Sequence, residues 1–401
     1  MMPRKVPTGF IVLSLVGLSA MACRSLPAFP TRVQVIGRHI SRLTLHDGDL
    51  YFGAGYCLYH LDTQNQVLDE ILCADDWTFH RPAIDGQKAY AQVVTPVEGA
   101  HFFVSVDLAT GSIVWQVDHS GTPFRSIKDH VFLVDDHVVM VRSEVQEQRV
   151  CAFNVQSGQQ EWCTEPNYFQ LQPVPFLIHD DSIWYAIERK EGYNDKNGQL
   201  VEVDLETGRI RQTIDLRPDT QFDGLLYVDA EWILGWEDKH IFAIDRHSPD
   251  EVSWYSGVLA EYASDQVSLA DEAFIIGDTR MAYALDQETG QMMWEFPPDS
   301  GDVHSQNTGP IALLVLGVSE SRTLYALDVA SGAAAWQFAL EPEHPGSGYW
   351  GWTSPSRPVV DGDTVYIANG SAINAVDLNT GELLWGVSVD SEYKFYRDAL
   401  D

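Results

Sequence analysis

Beyond its first thirty or so residues the chain is built from short runs that alternate apolar and polar positions, separated by turn-forming residues. Leu324-Tyr325-Ala326-Leu327-Asp328 reads as a strand, because period-two alternation puts one face in a core and the other in solvent. The turn after it belongs to a recurring set. Asp107, Thr110, Gly111 and Trp115 return with the same spacing as Asn154, Ser157, Gly158 and Trp162. They return again as Asp286, Thr289, Gly290 and Trp294, as Asp328, Ser331, Gly332 and Trp336, and as Asp377, Thr380, Gly381 and Trp385. Asp204, Thr207 and Gly208 fit with Gln212 in the Trp place, and Asp245, Ser248 and Trp254 form a copy one residue longer without the Gly. Asp62 with Asn65 is the weakest copy and has neither Gly nor Trp.

These eight anchors follow one another at intervals of 41 to 50 residues, 45 on average. That is the period of one four-stranded propeller blade. Asp and Thr or Ser side chains bond their own backbone at turns, and Gly supplies the positive φ. A second hairpin lies upstream in the repeat, as at Asp85-Gly86 and Asp361-Gly362, where Asp-Gly between apolar runs marks the turn. Each repeat is therefore four antiparallel strands, and such a sheet buries its faces only by stacking on its neighbours. The expectation is an all-β, eight-bladed propeller over residues 32–401, with the Trp packed between adjacent sheets. The Asp-Gly and Asp-Asp turns, including Asp47-Gly48 and Asp180-Asp181, lack the spacing of a twelve-residue calcium loop and read as hairpin turns.

The first 22 residues read as an address. Arg4 and Lys5 precede an apolar run from Phe10 to Met21, too short to span a bilayer but of signal-peptide length. Ala20-Met21-Ala22-Cys23 then resembles a bacterial lipobox with Ala where Leu is usual, so Cys23 is the expected lipidation site. Ordinary cleavage after Ala22 is the alternative. Residues 23–31, with Pro27 and Pro30, form a tether. The expected location is the cell envelope: the periplasmic face of an outer membrane, or the outer face of the plasma membrane in a single-membraned host.

The chain of 401 residues carries 25 Lys and Arg against 58 Asp and Glu, a formal charge of −33. Loss of Arg4 and Lys5 with the leader takes it to −35. Binding to nucleic acid is excluded as a function class, since a phosphate backbone is held by Lys and Arg. Of the five Cys, Cys23 is assigned to lipid, and the other four are tested by strand register. Paired positions across a hairpin have a constant sum. For Cys57 with Cys73, and for Cys151 with Cys163, that sum exceeds twice the anchor number of the blade by six. Two cross-strand disulfides are expected, with four buried thiols as the alternative; zinc-type spacing is lacking.

The Asp-x-x-Thr-Gly-x-x-x-Trp repeat resembles that of the PQQ-like propeller superfamily over about residues 40 to 390. Two branches of it imply different functions. PQQ-dependent alcohol dehydrogenases hold the cofactor on the axis with calcium, beside a pair of adjacent disulfide-bonded cysteines, and no adjacent Cys pair occurs here. The chain is also similar in size, lipobox-like start and repeat number to the BamB-type lipoproteins of outer-membrane β-barrel assembly. The resemblance implies a non-catalytic, monomeric scaffold that binds envelope or membrane proteins and touches the membrane only through a lipid at Cys23. No cofactor and no metal are expected. A quinoprotein-like oxidoreductase with PQQ and calcium, or a small-ligand or metal-binding propeller, is the second reading. No catalytic residue is assigned.

Binding is expected on the face that carries the connections between blades. These connections are rich in acids and aromatics, and supply Trp77, His80, His119, Tyr168, His304, His344, Tyr349, Trp350 and Trp352 as the candidate binding face. Exposed Trp and Tyr serve as interface anchors; the alternative is that they plug the ends of the blades. His80, His119, His304 and His344 with Asp76 and Asp302 have ligand chemistry but no short metal-type spacing, so scattered histidines are the better reading.

Overall fold

The computed structural model describes residues 40–396, except 75–76, 96–100, 119–130, 145–146, 166–175, 191–195, 217–221, 238, 250–251, 260–262, 271, 279–280, 297–303, 309–310, 319–320, 341–355 and 390–393. Eight antiparallel sheets follow one another along the chain, each a simple meander, and no helix occurs among the described residues. Blade 1 runs through Thr44–His46, Asp49–Ala54, Cys57–Asp62 and Val67–Cys73. Blades 2 to 8 occupy residues 78–118, 131–163, 177–215, 222–259, 263–296, 304–340 and 359–396. The weak Asp62 copy is thus a full blade, and the chain is an eight-bladed β-propeller.

Two blades depart from four plain strands. In blade 2 the first strand is split into Thr78–Phe79 and Ala83–Ile84, both paired with Lys88–Val94. In blade 8 the tail segment Lys394–Tyr396 pairs with Leu383–Ser388 as a fifth, outermost strand. The ring closes elsewhere, through side chains: Leu43, Phe52 and Tyr59 of blade 1 share one apolar cluster with Tyr366, Ile373 and Trp385 of blade 8. The Ile40 amide adds a bond to the Gly370 carbonyl at 2.8 Å.

The core is distributed rather than central. Among the described residues it resolves into eight apolar clusters, each shared by two neighbouring blades. Among the described residues the second and third strands are mostly buried, as in Leu50, Phe52, Leu58 and Tyr59, all at 0 % exposure. First strands of most neighbouring blades approach one another, as those of blades 4, 5, 6 and 7 do in succession, and so line the axis. Fourth strands form the half-exposed rim, with Ile210 58 % and Met292 48 % exposed.

The repeat's Trp and Gly belong to one interaction that joins neighbouring blades. The Trp294 ring of blade 6 lies under Gly332 of blade 7, where a Cβ would sit 2.6 Å from Trp294 Cδ2. Its indole N–H donates to the Val329 carbonyl at 2.6 Å. Trp115, Trp162, Trp254 and Trp336 repeat both features, on Gly158, Gly208, Gly290 and Gly381 of the following blade. A Trp side chain buries 150–250 Å², worth roughly 4–6 kcal/mol as an upper bound, against about 1 kcal/mol for the hydrogen bond. Apolar contact therefore supplies the adhesion, and the hydrogen bond sets the position of the ring.

Both expected disulfides are formed. Cys57 pairs with Cys73 and Cys151 with Cys163, at Cα separations of 4.2 and 4.1 Å, between the third and fourth strands of blades 1 and 3.

Gly332 (φ +68°) combines a left-handed backbone with an occupied Cβ position. Gly332→Ala is expected to destabilise the protein by more than about 1 kcal/mol, and Trp294→Ala by about 3–5 kcal/mol. Gly257→Ala, where nothing lies within 4 Å of the added carbon, is the control. Denaturant unfolding followed by tryptophan fluorescence measures all three; equal midpoints for Gly332→Ala and Gly257→Ala would contradict the interlock.

Candidate functional site

Each blade presents two hairpin turns at the same end. The residue after the repeat's Asp donates its amide to the turn between the first two strands. Leu108 bonds the Gln87 carbonyl at 2.9 Å, Leu205 bonds Asp181 at 2.9 Å, and Leu378 bonds Asp363 at 2.8 Å. Acids from both turns are thereby gathered on one face of the ring, among them Asp47, Asp107, Asp135, Asp181, Asp204, Asp328, Asp361 and Asp377. In the repeat turn the Asp accepts from the backbone and hydroxyl of the Thr or Ser three residues on, as Asp107 does from Thr110 at 2.8 and 2.7 Å.

These bonds stabilise the charged carboxylates. Hydrogen bonding from Ser331 holds Asp328 below the usual carboxylate range, and the Thr380 amide and hydroxyl do the same for Asp377. Asp204 falls to about 2, through Thr207 and then the Arg211 guanidinium. Asp204, Asp328 and Asp377 therefore stay charged further into acid than an aspartate without these bonds.

The interlock is incomplete at three places. Blade 1 has no Trp, and the Ile71 carbonyl occupies the space beside Gly111 of blade 2. Trp385 of blade 8 packs into the cluster shared with blade 1, whose repeat turn has no Gly and places Gln66 at φ +55°. Between blades 4 and 5 both partners are missing, and a polar network replaces them. Trp184, fully buried on the second strand of blade 4, lies beneath the Arg246 guanidinium of blade 5, 5.2 Å from its ring centroid. Arg246 pairs with Glu202 at 3.7 Å, and the Ser182 hydroxyl donates to Glu202 Oε1 at 2.6 Å. Arg211 donates to Ser182 Oγ at 2.8 Å and pairs with Asp181 at 2.7 Å and Asp204 at 2.5 Å. Sequence reading missed this network, although Gln212 in a Trp place and the absent Gly after Asp245 mark its location.

Of the candidate binding residues, Trp77, His80 and His304 are described; Trp77 and His80 are half-buried. Thr78–Phe79 between them is strand, not connection, because it pairs with Val93 and Val94. Trp77 packs on Phe102 and Phe79, with ring centroids 6.2 and 5.9 Å apart, and the His80 amide bonds the Gln92 carbonyl at 3.0 Å. Trp77 thus covers the edge of the blade 2 core. His304 opens the first strand of blade 7. His119, Tyr168, His344, Tyr349, Trp350, Trp352 and Cys23 lie outside the described residues. Among the described residues one group of three side chains has metal-ligand geometry, Cys57, Glu70 and Cys73, with the two sulfurs joined.

The sequence profile described as outer membrane protein assembly factor BamB matches residues 77–224 and 232–395, that is, most of the ring. The chain belongs to this family. Its fold is similar to BamB from Moraxella catarrhalis, with 14 % identity, a TM-score of 0.54, and coverage of 82 % of this chain and 92 % of that one. It is also similar to the dihydro-heme d1 dehydrogenase NirN, with 15 % identity, a TM-score of 0.52, and coverage of 75 % and 67 %. The quinohemoprotein alcohol dehydrogenase of Comamonas testosteroni aligns at 13 % identity and a TM-score of 0.49, covering 88 % and 67 %. At these identities the likenesses to BamB and NirN show the propeller fold alone. No curated protein sequence matches the chain.

The turn carboxylates give the family fold here a pH dependence with a defined sign. A folded-state pKa below the unfolded value near 3.9 contributes stability at higher pH and loses it as pH falls through the folded pKa. For Asp204 the window is from about 4 down to about 2. Asp204→Asn is expected to lower the melting temperature at pH 7 and to flatten its fall between pH 4 and 2. Thermal unfolding across that range measures this; parallel curves for the variant and the parent would contradict it.

Proposed function

We propose that this chain is an exported, lipid-anchored propeller that acts as a non-catalytic scaffold, binding envelope or membrane proteins in the manner of its family. The family match across both halves of the ring carries the reading. Two further features support it. The lipobox-like Ala20-Met21-Ala22-Cys23 supplies an anchor at Cys23, and two disulfides in a chain of five Cys fit an oxidising compartment outside the cytoplasm. Membrane contact runs through the lipid alone, and the partner surface is protein. The net charge of −33 sets nucleic acid aside as a partner.

The fold suits this task physically. Eight stacked blades fix where each inter-blade connection begins and ends, so the scaffold beneath the binding face needs little ordering when a partner binds. In this reading binding belongs to the face with the inter-blade connections, where Trp77, His80, Tyr168, Tyr349, Trp350 and Trp352 supply aromatic and polar anchors.

Cys23→Ser is expected to move the protein from the membrane fraction to the soluble fraction of its host without changing its melting temperature. Crosslinking and affinity capture of the wild-type chain from membranes should then recover an envelope protein. Replacement of Trp350 and Trp352 by Ala should reduce that recovery at least tenfold. Capture that returns no envelope partner, together with a PQQ- and calcium-dependent spectrum and alcohol oxidation, would replace the scaffold with a quinoprotein enzyme.

A further inference from the structure

Blade 1 has neither half of the interlock, and its third and fourth strands are joined by Cys57 and Cys73 instead. The chemistry around this pair differs from that around Cys151 and Cys163. Side chains on a strand alternate between faces, so Glu70, three residues before Cys73, belongs by simple alternation on the opposite face. A β-bulge at Ile71 reverses this: Cys57 faces Cys73, Leu58 faces Leu72, and Tyr59 faces Glu70. Glu70 therefore shares a face with both sulfurs. A carboxylate oxygen of Glu70, Cys57 Sγ and Cys73 Sγ all lie within 4.8 Å of one another. The buried Tyr59 hydroxyl donates to Glu70 Oε1 at 3.3 Å, the kind of bond that orients a ligating carboxylate.

Blade 3 supplies an internal comparison. Its bulge falls at the equivalent place, with Cys151 facing Cys163 and Phe153 facing Gln160. The residue beside that disulfide is thus an amide, which carries no charge, and the hydroxyl that would orient it is absent from Phe153. Only blade 1 has an anionic third group.

We propose that blade 1 carries a redox-gated metal site, in which the thiolates of Cys57 and Cys73 and the carboxylate of Glu70 hold one thiophilic divalent cation of the Zn²⁺ class once the disulfide is reduced. A dithiol reductant opens the bond by exchange: two electrons pass to the protein sulfurs, two protein thiols form, and the dithiol leaves as its own disulfide. Cation binding then releases the two thiol protons. Tetrahedral Zn²⁺ with Zn–S bonds near 2.3 Å sets the sulfurs about 3.8 Å apart. The two Cys face one another directly with Cα atoms 4.2 Å apart, so rotation about their Cα–Cβ bonds is the movement that opens the sulfurs toward that spacing. Cys73 and Glu70 are exposed, so reductant and cation reach the site from solvent, and water completes the four-coordinate shell.

The test uses the full chain with Cys23→Ser, in two forms, oxidised and reduced with a phosphine, which does not compete for the metal as a thiol does. Cations held loosely by the acidic surface bind both forms, so the difference between forms is the readout. The reduced form should gain the ultraviolet sulfur-to-cadmium charge-transfer band on addition of Cd²⁺, and Zn²⁺ should raise its melting temperature. Glu70→Gln should weaken cadmium binding at least tenfold, and Cys73→Ser should abolish the blade 1 contribution. Gln160→Glu should strengthen binding by the blade 3 pair. If reduction loosens blade 1, Zn²⁺ should restore the native near-ultraviolet dichroism. A reduced protein whose melting temperature ignores Zn²⁺, or a Glu70→Gln variant that binds cadmium as tightly as the parent, overturns the proposal.

Discussion

The contact between a Trp on the rim of one blade and a Gly in the turn of the next is the constraint on which the ring depends. A four-stranded sheet with two apolar faces has no stable existence alone. It is stabilised through its neighbours, and the eight clusters of the core lie between blades rather than within them. The Trp fixes the distance of approach, because its ring occupies the place of the partner's missing Cβ. The same turn anchors the blade's own hairpins, through the Asp that accepts from Thr or Ser and the neighbouring amide that bonds the upstream turn. A four-position motif thus specifies a turn, a hairpin pair and an inter-blade contact at once.

The places where the motif fails show what can substitute for it. Between blades 4 and 5, Arg246 stacked on Trp184 fills the seam, and Glu202, Ser182 and Arg211 complete its polar partners. Paired and hydrogen-bonded charges of this kind tolerate burial, whereas any one left alone would cost several kcal/mol. Blade 1 loses the interlock on both sides. It is held by the cluster it shares with blade 8 and by the Cys57–Cys73 bond between its outer strands. The departures are concentrated at blade 1 and at one of the two seams farthest from it along the ring.

The face bearing the hairpin turns and the face bearing the inter-blade connections divide the molecule's chemistry. Turn carboxylates such as Asp107, Asp328 and Asp377 are tied into local hydrogen bonds, so much of the acidity is structural as well as electrostatic. Trp77 illustrates the other face: it lies against Phe79 and Phe102, and its packing secures the entry to blade 2 while part of the ring remains accessible.

Blade number, strand order, both disulfide pairings and the role of the repeat's Trp were legible in the sequence. All of them follow from short-range regularities: period-two alternation, a motif at a near-constant spacing, and the constant sum of paired positions across a hairpin. The candidate site was read only as residue types in the inter-blade connections, most of which lie outside the described residues. The strand at Thr78–Phe79, the fifth strand at Lys394–Tyr396, ring closure through Leu43 and Trp385, and the Arg246–Glu202–Arg211 network depend on residues brought together from distant parts of the chain. Glu70 is the sharpest case. Alternation sets it apart from Cys73, and a single bulged residue, Ile71, returns it to the same side. Local repetition determines the kind of sheet and the number of blades, because each unit solves the same packing problem. Which side chains finally meet is decided by bulges and seams, since there one residue of offset changes the face and the neighbour.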